Sequence, residues 1–384
     1  MDELNYNHRK ISHLRGAWEY WRNPPNNSFD LVQFIHNALP EIDFDDLSLK
    51  VKFLNHMFSY PLFITAMTGG HPEVREINRI LGYIATHYNI PVEVGSQRAA
   101  LERPELVDTF TAIREGGSKA FVIGNIGLAQ IRDSPDPIQM IQNCVDMIQA
   151  NGISIHLNVM QELLQPEGNH RFSGVLGKIG KIVEHSPVPV IIKEVGCGIS
   201  GPVAAKLEKA GVRCINVAGY GGTNFNDIEL NRNLNIQGTP EAQQTPESTK
   251  MAPPWTDLIH WGIPTVVALK WVRAVTALNL IGSGGIRSGV DLAKALCLGA
   301  SVGGICGALL PALHSNGHFP ANNADVEHAI ERVKAFLDQF LLQFKITLTG
   351  IGCSSVEHLH QIPLIYFGQV REYLENLNLL TNTQ

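Results

Sequence analysis

No apolar run in these 384 residues approaches the ~20 needed to cross a bilayer, which excludes a membrane-spanning helix as an expectation. The six cysteines, at 144, 197, 214, 297, 306 and 353, form no C-x-x-C pair or other zinc spacing, so reduced thiols are expected. Positive charge is in short supply: 30 Lys and Arg face 36 Asp and Glu, a net −6 that argues against nucleic acid as partner. Any anionic ligand must then be met by local patches. The charged start Met1-Asp2-Glu3-Leu4-Asn5 is not a signal peptide, and a cytoplasmic location is expected.

Glycine, by contrast, is plentiful at 35 residues, and its placement is informative. The apolar run Leu278–Ile281 leads into Gly282-Ser283-Gly284-Gly285-Ile286-Arg287-Ser288-Gly289, which precedes a helical stretch from Val290. Glycine lets backbone N–H groups approach an anion at a helix N-terminus, where the dipole favours negative charge. The segment Val302-Gly303-Gly304-Ile305-Cys306-Gly307-Ala308 repeats the arrangement. Two consecutive Gly-rich strand ends are the phosphate site of many (β/α)8 barrels, although each alone is also an ordinary tight turn.

The rest of the chain supports that architecture. Short apolar runs at 62–66, 92–95, 120–124, 153–157, 190–193, 214–218, 279–283 and 302–305 read as eight strands. Helical spacing lies between most of them, as in Val74, Ile77, Leu81, Ile84 and Tyr88. Strands alternating with helices predict an α/β fold, a single TIM barrel; an open doubly wound sheet would not carry its phosphate loop so late. Residues 264–275 read as the sixth helix. The predicted layout is an N-terminal arm and barrel-capping segment over 1–55, a barrel over 56–322, and packed C-terminal helices over 323–384. The polar stretch 228–254 lacks periodicity and reads as a long loop. Val326, Ile330, Val333, Leu337, Phe340 and Phe344 predict a long amphipathic helix, with a tail helical to about Leu380.

A barrel of this kind puts its active site at the C-terminal strand ends. Met67 and Thr68 would lie against a flat aromatic cofactor, Ser96 and Asn125 offer donors and acceptors to a heterocycle's edge, and Lys193 offers a positive charge. With phosphate at Gly284, Gly285, Ile286, Cys306 and Gly307, flavin mononucleotide fits. Lys193 has an alternative as one half of a strand-end salt bridge to Glu194 or another carboxylate. Arg9-Lys10 with His13 reads either as a diphosphate clamp or as a solvated basic arm.

Arg9-Lys10 with His13, Met67-Thr68-Gly69-Gly70, Gly95-Ser96-Gln97-Arg98, His156-Leu157-Asn158 with Gln161-Glu162, Lys193-Glu194-Val195-Gly196, Gly221-Gly222-Thr223-Asn224 and Ser283–Arg287 together resemble the type 2 isopentenyl diphosphate isomerases. The resemblance implies a flavin-dependent enzyme that interconverts isopentenyl and dimethylallyl diphosphate. It implies that Ala66, Met67, Thr68, Ser96, Asn125, Lys193, Thr223, Gly284, Gly285, Ile286, Cys306 and Gly307 hold FMN. Arg9, Lys10, Ser96, Gln97, Arg98, His156 and Asn158 would surround the diphosphate, Glu162 would hold Mg²⁺, and Gln161 would sit over the isoprenoid. A homo-oligomer, a tetramer or octamer, is implied as well. Tyr220 departs from the family, which often has Arg before the Gly-Gly-Thr.

Moving this double bond adds one proton and removes another, and water would quench a tertiary cation, so the site must be dry around the carbons. No side chain is an obvious acid for an alkene; reduced FMN becomes the expected acid–base, with NADPH or NADH as its reductant, Lys193 as a fixed charge and Gln161 as an orienting or relaying group. A 2-hydroxyacid oxidase on the same barrel would need a histidine base near the late strands, and none lies between Trp261 and Leu313. A non-catalytic flavin module would have no use for Gln161-Glu162.

Overall fold

The computed structural model describes residues 3–22, 24, 26–165, 168–237, 256–315 and 317–380, without the side chains of 3–9, 233–237 and 256. Eight parallel strands close into a barrel: β1 (Leu62–Ile64), β2 (Val92–Glu93), β3 (Val122–Gly127), β4 (Gly152–Leu157), β5 (Val190–Glu194), β6 (Cys214–Asn216), β7 (Asn279–Ser283) and β8 (Val302–Ile305). The β8–β1 pairing, Gly303 opposite Leu62 and Ile305 opposite Ile64, shuts the cylinder. These runs are strands because they are short, β-branched and apolar on both faces, as a sheet buried inside and out requires. All eight match the runs read from the sequence.

A hairpin, Val51–Phe53 against His56–Phe58, plugs the end where the strands begin. Its Phe53 and Phe58 join Phe63, Ile123, Ile191, Cys214, Ile281 and Val302 in one buried cluster. The opposite end is covered by α1 (Glu3–Arg22). Around the wall lie α2 (Arg75–Tyr88), α3 (Phe225–Gln237), α4 (Thr265–Val275), α5 (Gly289–Cys297) and the 28-residue α6 (Asn323–Gly350). Helix α4 is the expected sixth helix: Thr265–Leu269 are buried, so its β-branched run packs on the barrel rather than joining the sheet.

Two expectations are corrected. Residues 228–237 belong to α3 and are not loop; 238–255 lie outside the described residues. The tail is not continuously helical: Leu364–Tyr366 is a strand paired antiparallel with Val32–Phe34, between a 3₁₀ turn (Val356–Gln361) and a helix (Gly368–Asn376). Its partner is more than 300 positions away, and no local signal announces it.

Candidate active site

The C-terminal strand ends and α1 enclose one cleft of about 1280 Å³, its open mouth included. Every residue expected to hold a flavin lines it: Ala66, Met67 and Thr68 after β1, Ser96 after β2, Asn125 on β3, Lys193 on β5, Thr223 after β6, Gly284, Gly285 and Ile286 after β7, and Cys306 and Gly307 after β8. Of the residues expected around a diphosphate, Lys10, Ser96, His156 and Gln161 line the same cleft.

Others are placed elsewhere. Gln97 is fully buried behind the barrel wall, its amide donating to Cys144 O at 2.9 Å and its oxygen accepting from Asn125 N–H at 2.9 Å, which fixes β3 rather than facing a ligand. Arg98 pairs with Glu102 at 2.8 Å outside the lining. Asn158 is buried beneath the cleft and donates to Glu162 Oε1 at 3.0 Å and Gln161 Oε1 at 3.3 Å. Glu162 also accepts from Asn169 N–H at 2.7 Å and does not line the cleft. The side chain of Arg9 lies outside the described residues.

The glycine loop has the shape of an anion cradle. Gly284 and Gly285 have φ of 102° and 90°, and a Cβ there would meet Gly219 O at 2.2 Å and Gly221 O at 2.4 Å, so only glycine fits. Thr265 Oγ1 donates to Gly284 O at 2.6 Å and Asn27 Nδ2 to Gly285 O at 2.9 Å, pulling the carbonyls back. Among the described residues the N–H groups of Gly284, Gly285, Ile286 and Gly307 have no acceptor. These free donors on two adjacent strand ends suit a phosphate. Arg287 turns away to Asp30 and Asp291.

Three titratable groups mark the walls. Burial, then the charges of Lys193 and Lys10, bring the His156 imidazole down to about 3. Its Nδ1 lies 2.8 Å from Asn125 Oδ1, and Asn125 Nδ2 donates to Val94 O, so the neutral ring carries its proton on Nδ1. Burial pushes the Glu194 carboxyl up to about 7 against the N–H groups of Cys197, Val195 and Gly196 that it accepts. Burial likewise raises Cys306, to about 12.

Sequence reasoning missed three participants. Glu93, buried on β2, pairs with Lys193 at 3.1 Å, so the carboxylate that meets the ammonium is one the sequence reading left unnamed, and not Glu194. Glu229 on α3 is fully buried, accepts from Gln161 Nε2 at 3.1 Å, and lies 2.7 Å from His13 and 2.6 Å from Arg232. Burial pushes its carboxyl up, but the His13 contact and the charges of His13 and Arg232 outweigh it and hold the group near 2. Trp21 donates to Thr223 Oγ1 at 2.8 Å and packs on Gly307. The spacing of Lys10, His13, Leu14, Ala17 and Trp21 is one helical stripe, a signal that was present in the sequence. Tyr220 meets His260 at 3.1 Å outside the cleft lining.

The model of the FMN-dependent dehydrogenase family matches residues 159–364. An isopentenyl-diphosphate delta-isomerase of Pyrococcus furiosus is 39% identical over 355 residues, 91% of this chain and 84% of that one. One from Methanoregula boonei is 37% identical over 370 residues, 96% of each chain. Among solved structures, a mandelate oxidase with benzaldehyde superposes with a TM-score of 0.60 at 15% identity over 94% of each chain, a likeness of fold alone.

Proposed function

We propose, from the premise that the chain belongs to the isopentenyl-diphosphate delta-isomerases and carries an FMN-dependent dehydrogenase domain, that it interconverts isopentenyl and dimethylallyl diphosphate on reduced FMN with Mg²⁺ at the diphosphate. The observation that carries this reading is the layout of one cleft. Free backbone donors at Gly284–Ile286 and Gly307 stand at the end of the barrel's last two strands, while Lys10 and His156 supply a second place for an anion. FMN's phosphate belongs to the first and the substrate's diphosphate to the second.

The reduced flavin supplies a proton donor and an electron-rich face toward a developing cation. The chain's residues do the rest. Met67, Leu14, Ala17, Ile305 and Leu310 give the cleft an apolar lining that keeps water from the reacting carbons. Gln161 is held at both ends of its amide, its NH₂ on Glu229 and its oxygen accepting from Asn158, so its orientation over the cleft is fixed. That suits an orienting group or a relay between carbons that exchange protons. The pair of Lys193 sits at the cofactor wall. Glu162 spends one lone pair of each oxygen on Asn158 and Asn169 and keeps others for a cation. Among the described residues no cluster of three or more His, Cys, Asp or Glu surrounds it, so Mg²⁺ there would take one carboxylate, diphosphate oxygens and water, as that ion prefers.

The test is conversion of isopentenyl diphosphate by purified protein given FMN, NADPH or NADH, and Mg²⁺. Turnover is expected only with all of these, with no net consumption of reductant beyond the first reduction. Gln161→Asn, which withdraws the amide by one methylene, is expected to lose about a hundredfold or more in kcat, the scale of a positioned acid–base group. A wild-type rate in that variant would remove Gln161 from the mechanism, and turnover without flavin would overturn the reading.

A further inference from the structure

Lys193 does not present a free charge to the cleft. Its ammonium lies 3.1 Å and 3.3 Å from the two oxygens of Glu93, whose side chain is fully buried. The same carboxylate accepts the Ala66 N–H at 3.0 Å. Ala66 opens the segment Ala66-Met67-Thr68 that lines the cleft, and its carbonyl accepts from Cys306 Sγ at 3.2 Å on the far side. One buried group on β2 therefore ties the end of its neighbour β1 to the end of β5 on the opposite side of the barrel, and both ends line the cleft.

The charge matters as much as the geometry. A buried carboxylate is costly unless paired, and here the pairing cancels most of the field that Lys193 would otherwise exert at short range. Both charges are felt at the wall: Lys193 lowers the Cys306 thiol and Glu93 raises it, on top of burial.

We infer that Glu93 is a positioning residue that sets how much positive charge the bound flavin meets, holding Lys193 and the Ala66 backbone in one arrangement while attenuating the lysine. The inference rests on the FMN reading above. A cation near a flavin's N1–C2 region favours the reduced, more negative ring, so attenuating that cation keeps the flavin harder to reduce. Neither the strand pattern of residues 92–95 nor the motif residues assign Glu93 any role.

Glu93→Gln keeps an oxygen for the Ala66 N–H and removes the negative charge. In the FMN-loaded protein the flavin midpoint potential, measured by dye-coupled titration, is expected to move positive, with the visible spectrum altered in fine structure. Glu93→Asp, which keeps the charge but withdraws it, is expected to give a smaller positive shift. In a Lys193→Met background, adding Glu93→Gln should produce a much smaller shift than it does alone, because the cation it attenuates is gone. Wild-type potentials in both single variants, or an equal shift with and without Lys193, would overturn the inference while leaving the flavin reading intact. Failure of the wild-type protein to bind FMN would overturn both.

Discussion

His156 carries the sharpest consequence at the scale of a single residue. With its proton on Nδ1 and donated to Asn125, the neutral ring offers Nε2 only as an acceptor, which is the wrong polarity for an anion. A diphosphate beside it must bring a proton onto the ring. Its pKa of about 3 leaves it neutral near pH 7, and a bound diphosphate's negative charge would push it upward, so binding takes up a proton and weakens as pH rises. Calorimetric titration of the FMN-loaded protein with a diphosphate ligand, in buffers of different ionisation enthalpy, is expected to show this uptake. His156→Gln should bind more weakly and show a smaller uptake; an identical uptake would assign the proton to another group. The sequence put His156 on the right strand end but was silent on its charge, because a pKa depends on Lys193, Lys10 and burial, three things that only the fold assembles.

At the scale of the element, α3 shows where reading by periodicity stops. The strands were legible because burial on both faces demands unbroken apolar runs, and α6 because one face repeats every three to four residues. Helix α3 buries Ile228 and Leu230 but also Asn226 and Glu229, since it packs over a polar site, and a mixed buried face has no apolar period. Its Glu229 is the clearest handle. A carboxyl held near 2, below the ordinary 4.5, contributes stability that is complete above pH 4.5 and is lost as pH falls through 2. From that difference the contribution is about 3 kcal/mol. Glu229→Gln is expected to lower the thermal midpoint at pH 6, with the gap to wild type narrowing as pH drops from 4.5 toward 2. A gap constant across that window would mean that the charge of Glu229 is not what holds α3 against His13 of α1.

At the scale of the whole molecule, the barrel and the position of its glycine loop could be read from the chain, whereas what covers the barrel's mouth could not. Arg9-Lys10 reads from sequence either as a diphosphate clamp or as a solvated basic arm, and the spacing of Lys10, His13, Leu14, Ala17 and Trp21 is there to be read, but that this stripe faces the cleft is set by how α1 packs over the strand ends. The chain following α1 then fastens this cover to the glycine loop after β7. Asn27 accepts from Phe29 N–H as a cap and donates to Gly285 O, Asp30 pairs with Arg287 at 2.5 Å, and Lys294 donates to Phe29 O at 2.8 Å. The Asp30–Arg287 pair is partly exposed and contributes at most about 1 kcal/mol, so the buried Asn27 bond is the one that matters for the loop. Asn27→Ser keeps an oxygen for the cap and is too short to reach Gly285 O, leaving that buried carbonyl without its donor. FMN affinity, followed by quenching of flavin fluorescence, is expected to fall about five- to tenfold, the equivalent of about 1 kcal/mol or slightly more. The thermal midpoint of the flavin-free protein should move by only a degree or two, because a chain of this length spreads 1 kcal/mol over a large unfolding entropy. Unchanged affinity would show that the loop holds its phosphate geometry without the arm, and an equal loss in both measurements would make Asn27 a general structural residue and not a fastener of the cofactor site.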